Sequence, residues 1–292
     1  MTRILITGSK SYIGNAVKEW LFKDGQYETI DEISVKSHAW HEADFSIYDV
    51  VFHVAGIAHV DTGPVDDEMS TLYYQVNCDL AVAVAAKAKE AGVSQFIFMS
   101  SMIVYGEGAP LGRPKRITRA VSPAPASVYG DSKWQAELGL DQLRSKDFKV
   151  AIIRPPMVYG KGSKGNYPRL AKVAKRLPLF PQVENERSMI HIDNLCEFIK
   201  LMIDHKEAGV FHPQNAEYVK TSDLVKEIAM THGKKMLLTK CFNPFLQLLA
   251  RRMGVINKVF GNLSYDLSLS DYQHDYRVRH FKESIKLTED ID

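Results

Sequence analysis

Tyr129 and Lys133 stand four residues apart in YGDSK, a spacing that puts a phenol and an ammonium on one face of a helix. A cation beside a phenol favours the phenolate, drawing a pKa of about 10 towards the range where the group can take and return a proton. The same spacing also occurs on solvated helix faces that have no function. Upstream, the apolar run Phe96-Ile97-Phe98-Met99 ends in Ser100 and Ser101. Carboxyl ends of parallel strands line the ligand crevice of an α/β sheet, and a serine there can hydrogen-bond the oxygen whose proton the tyrosine handles. Read alone, the two hydroxyls could equally just end the strand.

A second constellation lies at the start of the chain. Thr7-Gly8-Ser9-Lys10-Ser11-Tyr12-Ile13-Gly14 follows an apolar run and opens a helical pattern, the context that a phosphate-binding glycine turn requires. Gly8 permits the tight turn, Gly14 lets helix and strand approach, and the helix N-terminus offers N–H groups to a pyrophosphate. Two glycines at a strand–helix junction are also an ordinary structural turn. Asp31, at the end of the next strand pattern, can accept hydrogen bonds from an adenosine ribose, which favours NAD over NADP, although neighbouring Glu32 leaves the register open. Asp44 can reach the adenine edge or serve as a turn residue.

These residues need a sheet to position them. Short apolar runs at 3–7, 28–31, 50–54, 95–100 and 150–154 alternate with helical periodicity at 13–23, 69–91 and 127–143, the pattern of βαβ units. The stretch from Glu32 to Trp40 is too short for a crossover helix, so either a loop leads to a brief strand near Trp40–Ala43 or the sheet lacks an element. Beyond Arg154 come Pro155-Pro156, a Gly/Lys loop and helices separated by prolines, a more irregular lobe. Residues 188–205 read as strand plus helix returning to the main sheet. The expected fold is α/β: a Rossmann-type doubly wound parallel sheet with a smaller, interleaved C-terminal substrate lobe. Its expected boundaries are 1–154 plus about 188–204 for the nucleotide-binding domain, and 155–187 with 205–292 for the lobe.

With 292 residues, 45% apolar and 25% charged, the chain can bury a large core, and its net charge of +2 offers no field suited to nucleic acid. Cys78, Cys196 and Cys241 are far apart, which argues against a disulfide framework or a zinc knuckle and reads as three small buried hydrophobes. No apolar stretch approaches a membrane span and the N-terminus lacks a signal pattern, so the expectation is a cytoplasmic protein with no membrane partner and no metal.

Taken together, TGSKSYIG, VFHVAG at Val51–Gly56, Asn77 in YYQVN, FMSSMIVYG at Phe98–Gly106, YGDSK, RPPMVYG at Arg154–Gly160 and RSMIHIDN at Arg187–Asn194 resemble the extended short-chain dehydrogenase/reductases of the NAD-dependent epimerase/dehydratase type. Within that family the chain is most similar to UDP-sugar 4-epimerases of the UDP-galactose (UDP-glucose) 4-epimerase type. The resemblance implies Ser101, Tyr129 and Lys133 as the catalytic set. It implies NAD held by Gly8, Ser11, Tyr12, Ile13, Gly14, Asp31, Asp44, Val54, Ala55, Gly56, Asn77, Ser100 and Pro155 together with Tyr129 and Lys133. A UDP-sugar would meet Ser101, Asn166, Phe180, Arg187 and Arg277, or Arg279 in place of the last. A guanidinium suits a diphosphate because its planar fork pairs with phosphate oxygens. A homodimer built on the 69–91 and 127–143 helices is also implied; Ala81, Ala83, Ala85 and Ala86 would allow close approach there, or could pack within one subunit. The family pattern carries a glycine where this chain has Ser11.

Dehydratases of the family carry an Asp-Glu pair after the hydroxyl residue, where this chain has Met102-Ile103. The expected reaction is therefore C4 epimerisation of a UDP-hexose through a 4-keto sugar, in sugar or surface-polysaccharide metabolism. An NAD(P)H-dependent 4-keto-sugar reductase uses the same three residues, and a non-catalytic NAD(P) sensor is the alternative from another class.

Overall fold

The computed structural model describes residues 1–58, 66–250 and 254–291. In chain order the elements are β1 (Thr2–Thr7), α1 (Tyr12–Asp24), β2 (Tyr27–Ile33), α2 (Ala39–Glu42), β3 (Val50–His53), α3 (Asp67–Tyr74), a π-turn at Gln75–Asp79, α4 (Leu80–Glu90), β4 (Gln95–Met99), a 3-10 turn at Met102–Tyr105, β5 (Arg116–Ile117), α5 (Val128–Leu143) and β6 (Lys149–Ile153). There follow β7 (Met157–Tyr159), α6 (Asn166–Arg176), β8 (Leu179–Pro181), β9 (Met189–His191), α7 (Ile192–Asp204), β10 (Gly209–Phe211), α8 (Thr221–Thr231), β11 (Leu237–Thr239), α9 (Asn243–Ala250), α10 (Gly254–Phe260), β12 (Ser264–Tyr265) and α11 (Phe281–Glu289).

The first compact unit is Met1–Gly106, Ser122–Pro155 and Leu195–Pro213. It holds a six-stranded sheet in the order β10-β6-β4-β3-β1-β2, every pair parallel. Strands buried on both faces read as continuous apolar runs, which is why β3 and β4 are buried along their whole length. On one face, Leu5, Val51, Phe96, Phe98 and Val150 pack against Ala81, Val84, Ala85 and Ala88 of α4 and Ala136 and Leu140 of α5. Ala81 and Ala85 are thus core residues, whereas Ala83 is exposed.

The second unit is Glu107–Val121, Pro156–Asn194 and Gln214–Asp292. It contains three two-stranded pairs, β8 with β11, β5 with β12 and β7 with β9. Its core gathers Tyr159, Tyr167, Phe180, Leu224, Val225, Ile228, Phe260 and Ile285.

Several expectations are corrected. Trp40–Ala43 is not a strand: Ala39–Glu42 is one helical turn that drops Trp40 into the core beside Phe45, and β2 is left as the last strand of the sheet. The strand in 188–205 does not join the main sheet, because β9 pairs with β7; β10 takes that place on β6. Residues 107–121 and 188–194 belong to the second unit and 205–213 to the first. The helix expected over 69–91 is interrupted by the π-turn. Of the three free cysteines only Cys196 is fully buried; Cys241 is exposed.

Candidate functional site

The glycine turn follows β1 as its sequence requires. Gly8 has φ +107°, and a Cβ there would meet the Ala55 backbone nitrogen at 2.7 Å, so the turn and the end of β3 approach at a distance that only glycine allows. Ser11 caps α1: its Oγ accepts from Gly14 N at 3.1 Å, leaving its own hydrogen for an acceptor. Tyr12, Ile13 and Gly14 form the first turn of α1, where backbone N–H groups lack intrahelical acceptors.

The acidic residues separate by face. In the parallel register Asp31 lies opposite Leu5 and Glu32 opposite Ile6. Asp31 is exposed, accepts from the Tyr48 hydroxyl at 2.8 Å, and lines with Asp44, Ala43 and Ile47 a cleft of about 380 Å³. Asp44 accepts from Ser46 N at 2.9 Å and Ser46 Oγ at 2.6 Å, and these bonds hold its pKa below the usual range. Glu32 lines that cleft too and also borders an open cleft of about 640 Å³ that it shares with Ser9 and Lys10 of the glycine turn. Its Oε2 accepts from Lys18 Nζ at 2.8 Å, while its Oε1 is buried with no partner among the described residues. A buried carboxylate oxygen in need of donors beside a glycine turn and a helix N-terminus fits a dinucleotide, whose ribose supplies hydroxyls and whose pyrophosphate seeks N–H groups. Sequence reading noticed Glu32 only as an ambiguity of register; strand alternation was the signal that separates it from Asp31.

At the carboxyl end of β4 the two serines diverge. Ser101 caps the 3-10 turn, its Oγ accepting from Ile103 N at 3.3 Å, and its hydroxyl lies near that of half-buried Tyr129. Ser100 turns inward and donates to Glu137 Oε1, so its hydroxyl is engaged away from the glycine turn. Ser127 starts α5 by capping Gly130 N at 3.2 Å, and Tyr129, Lys133 and Glu137 follow at successive four-residue steps. The Lys133 ammonium is buried, donates to the Met99 carbonyl at 2.9 Å and lies over the Phe98 ring at 4.6 Å. Burial lowers its pKa to about 8, opposed by Glu137. Burial raises the Tyr129 pKa, opposed by the Ser101 hydrogen bond. Lys133 is not among the groups that shift the phenol, its ammonium being tied to the end of β4.

A Cβ on Gly56 would meet Asn77 Oδ1 at 2.9 Å and Lys133 Nζ at 3.1 Å, so this glycine keeps open the ground over the lysine. Asn77, fully buried in the π-turn, accepts from Ile57 N at 2.9 Å and donates to Ile57 O and Ser132 Oγ at 3.0 and 3.1 Å. With both N–H donors occupied, it holds the loop after β3 against α5. Val54 N donates to Thr7 O at 3.1 Å, and the Pro155 carbonyl accepts from Met102 N at 2.9 Å. Sequence reading missed the buried network behind these residues, in which Arg154 donates to Glu137 and to the Tyr105 hydroxyl, and that hydroxyl bonds His212 Nε2 at 2.8 Å. Burial and Arg154 lower the His212 pKa to about 4, so at neutral pH its ring is uncharged.

Of the expected sugar-binding residues Ser101 lies in the first unit, and Asn166, Phe180, Arg187 and Arg277 lie in the second. Asn166 opens α6. Arg187 is half-buried; its Nη1 donates to the Lys258 and Gly261 carbonyls at 3.0 and 3.3 Å, leaving Nε and Nη2 without partners among the described residues. The Arg277 guanidinium donates to the backbone carbonyls of Gln214 and Ser270, whereas that of Arg279 pairs with Asp193 and Glu283. Phe180 is a correction: it points into the core against Phe260, ring centroids 5.6 Å apart, because alternation along β8 turns Leu179 outward in its place.

The family model described as NAD dependent epimerase/dehydratase matches residues 4–215. The chain belongs to the NAD-dependent epimerase/dehydratase family. It is 32% identical to a UDP-glucose 4-epimerase of Vibrio cholerae over 91% of this chain and 87% of the relative. It is 26% identical, over 88% of this chain and 81% of the relative, to the N-acetyl-alpha-D-glucosaminyl-diphospho-ditrans,octacis-undecaprenol 4-epimerase of Escherichia coli O157:H7. The solved UDP-glucuronic acid 4-epimerase of Bacillus cereus, in complex with UDP-glucuronic acid and NAD, shares the fold with a TM-score of 0.74 at 19% identity, over 99% of this chain and 98% of that one. As a member of the epimerase/dehydratase family the chain is an enzyme that uses NAD(P). Among the described residues no helix is long and apolar enough to cross a membrane, and no cluster of His, Cys, Asp and Glu could hold a metal ion.

Proposed function

We propose that this enzyme inverts C4 of a UDP-hexose, UDP-glucose/UDP-galactose or their N-acetyl forms, through a transient 4-keto sugar. The observation that carries the reading is the Ser101–Tyr129 hydroxyl pair at the end of β4, with Lys133 one turn along the same helix. Ser101 would hold the C4 oxygen and Tyr129 would take its proton and later return it. Lys133 would place its charge next to the reacting centre. The chemistry that NAD supplies when bound is reversible storage of a hydride. The first unit would hold NAD, with Glu32 and the α1 N-terminus as its anchors; in the second, Arg187 would take the diphosphate through Nε and Nη2, with Arg277 as a further cation. Met102 and Ile103 after Ser101 offer no carboxyl groups for a dehydration. A homodimer in the cytoplasm is part of the same reading.

The test is to incubate purified protein with UDP-galactose and with UDP-N-acetylgalactosamine, adding no cofactor. C4 inversion by catalytic protein is the expected result. No conversion, together with stoichiometric NAD(P)H oxidation on a 4-keto sugar, would replace the epimerase by a reductase. A second substrate reading is favoured by one observation, an exposed apolar face on α9. The Escherichia coli relative is named for a polyprenyl-diphosphate-linked sugar, and such a molecule would present the same diphosphate to Arg187. Conversion of the lipid-linked sugar but not of the UDP-sugar would decide for it.

A further inference from the structure

The helix α9 has two unlike sides. Leu246 and Ala250, one turn apart, pack on the core of the second unit. Phe245 and Leu248 project from the opposite side and are 60% and 59% exposed, with exposed Pro244 beside Leu248 and Phe242, 43% exposed, just before the helix. No residue of Asn243–Ala250 is charged. A solvated helix face is normally lined by charged side chains, so this one is built for something other than water.

The surrounding sequence says what. Between Glu227 and Asp266 there is no acidic residue, while Lys234, Lys235, Lys240, Arg251, Arg252 and Lys258 all fall there. The whole chain is nearly balanced, with 37 basic and 35 acidic residues, so this one-sign segment departs sharply from the average. Lys235, Lys240 and Lys258 are exposed, and Lys240 sits at the foot of the helix, its carbonyl accepting from Asn243 N at 2.9 Å. An aromatic and aliphatic helix face in a segment whose charges are all basic, with Glu184 near Lys240 paired to Lys220, is complementary to a bilayer interface with anionic headgroups.

We propose that α9 seats the protein on the surface of a membrane containing anionic phospholipids, Phe245 and Leu248 entering the headgroup–acyl boundary and the flanking lysines meeting the phosphates. The proposal goes against the sequence expectation of no membrane partner and requires no spanning helix, of which there is none among the described residues. It also ties the surface to the site: α10, which follows α9, carries the carbonyls that hold Arg187. The docking stands whichever sugar the enzyme accepts.

The experiment is co-sedimentation of the full chain with vesicles of phosphatidylcholine alone and of phosphatidylcholine with phosphatidylglycerol. The expected result is pelleting with the phosphatidylglycerol vesicles, weakened by salt, and little with phosphatidylcholine. Phe245→Asp/Leu248→Asp should weaken that binding by at least about tenfold with the melting temperature of the wild type retained. Lys235→Gln/Lys240→Gln, which leaves the apolar face intact, should weaken binding to the anionic vesicles. Wild-type protein that stays in the supernatant with both vesicles overturns the proposal, as do variants that pellet like the wild type. Self-association of the wild type without vesicles, abolished by Phe245→Asp/Leu248→Asp, would assign the face to a second copy and overturn it as well.

Discussion

Arg154 and Glu137 form a forked ion pair inside the first unit, Nε to both carboxylate oxygens at 3.1 Å and Nη2 to Oε2 at 2.5 Å, with both residues at most 5% exposed. The pair joins the end of β6 to α5, and through Ser100 it reaches the end of β4. A bidentate geometry with further hydrogen bonds offsets the desolvation of two charges. Removing one partner strands the other, so Glu137→Leu alone or Arg154→Met alone should destabilise the fold by about 3–5 kcal/mol. The double variant Glu137→Leu/Arg154→Met should lose much less than the sum of the two single changes. Urea denaturation of the four proteins measures the coupling, and additive losses would contradict the arrangement.

Lys133 gives a stability change with pH. Burial holds its folded pKa at about 8, below the ordinary lysine value of 10.5, so between these values the unfolded chain binds more protons than the folded one. Stability therefore rises with pH across that window and is lowest, for this group, below pH 8. The change corresponds to about 3 kcal/mol as an order of magnitude. Lys133→Met lacks this titration. Denaturation at pH 7 and at pH 10.5 should show the wild type gaining relative to the variant by up to that amount; an unchanged difference would mean that the ammonium is not buried in solution.

How far the site could be read from the sequence depended on whether one signal or two were needed. The strands β3, β4 and β6 and the helix α5 announce themselves, because burial on both faces leaves unbroken apolar runs and Ser127 supplies a cap. The π-turn at Asn77 was invisible, since hydropathy stays helical across it and only the bonds of its amide to Ile57 and Ser132 show the break. Phe180 was taken for a ligand contact because an aromatic near a motif carries no sign of which way it points. The buried partners of Ser100 were equally hidden: Glu137 and Arg154 are seventeen residues apart and meet only through the packing of α5 on β6.

The register of β2 puts Asp31 opposite Leu5 and Glu32 opposite Ile6, and the proposal that Glu32 anchors a ribose predicts different effects for the two. Glu32 Oε1 is buried and unpaired on the glycine-turn side, while Asp31 is exposed and bonded to Tyr48. Glu32→Ala should weaken NAD binding by about 10–100-fold, the equivalent of hydrogen bonds to a charged acceptor. Asp31→Ala should change it by less than about threefold. Isothermal titration of NAD into cofactor-stripped protein compares the two, and the reverse ranking would return the role to Asp31.

Tyr129 can be tested separately from the residues that merely hold it. Its hydroxyl lies near that of Ser101, its ring lies 6.1 Å from that of Tyr73, and the Lys133 ammonium is bonded to the Met99 carbonyl. Tyr129→Phe keeps the ring and removes the acid/base group, so NAD binding and melting temperature should stay close to wild type while turnover falls by at least about a hundredfold. Arg187→Ala acts elsewhere: Nε and Nη2 are the groups left for a diphosphate, so its loss should raise KM for the sugar substrate by about tenfold or more with a smaller change in kcat. Steady-state kinetics of the two variants then separates chemistry from binding. Equal falls in kcat for both, with KM unmoved, would show that Arg187 supports the reacting centre and does not bind the diphosphate.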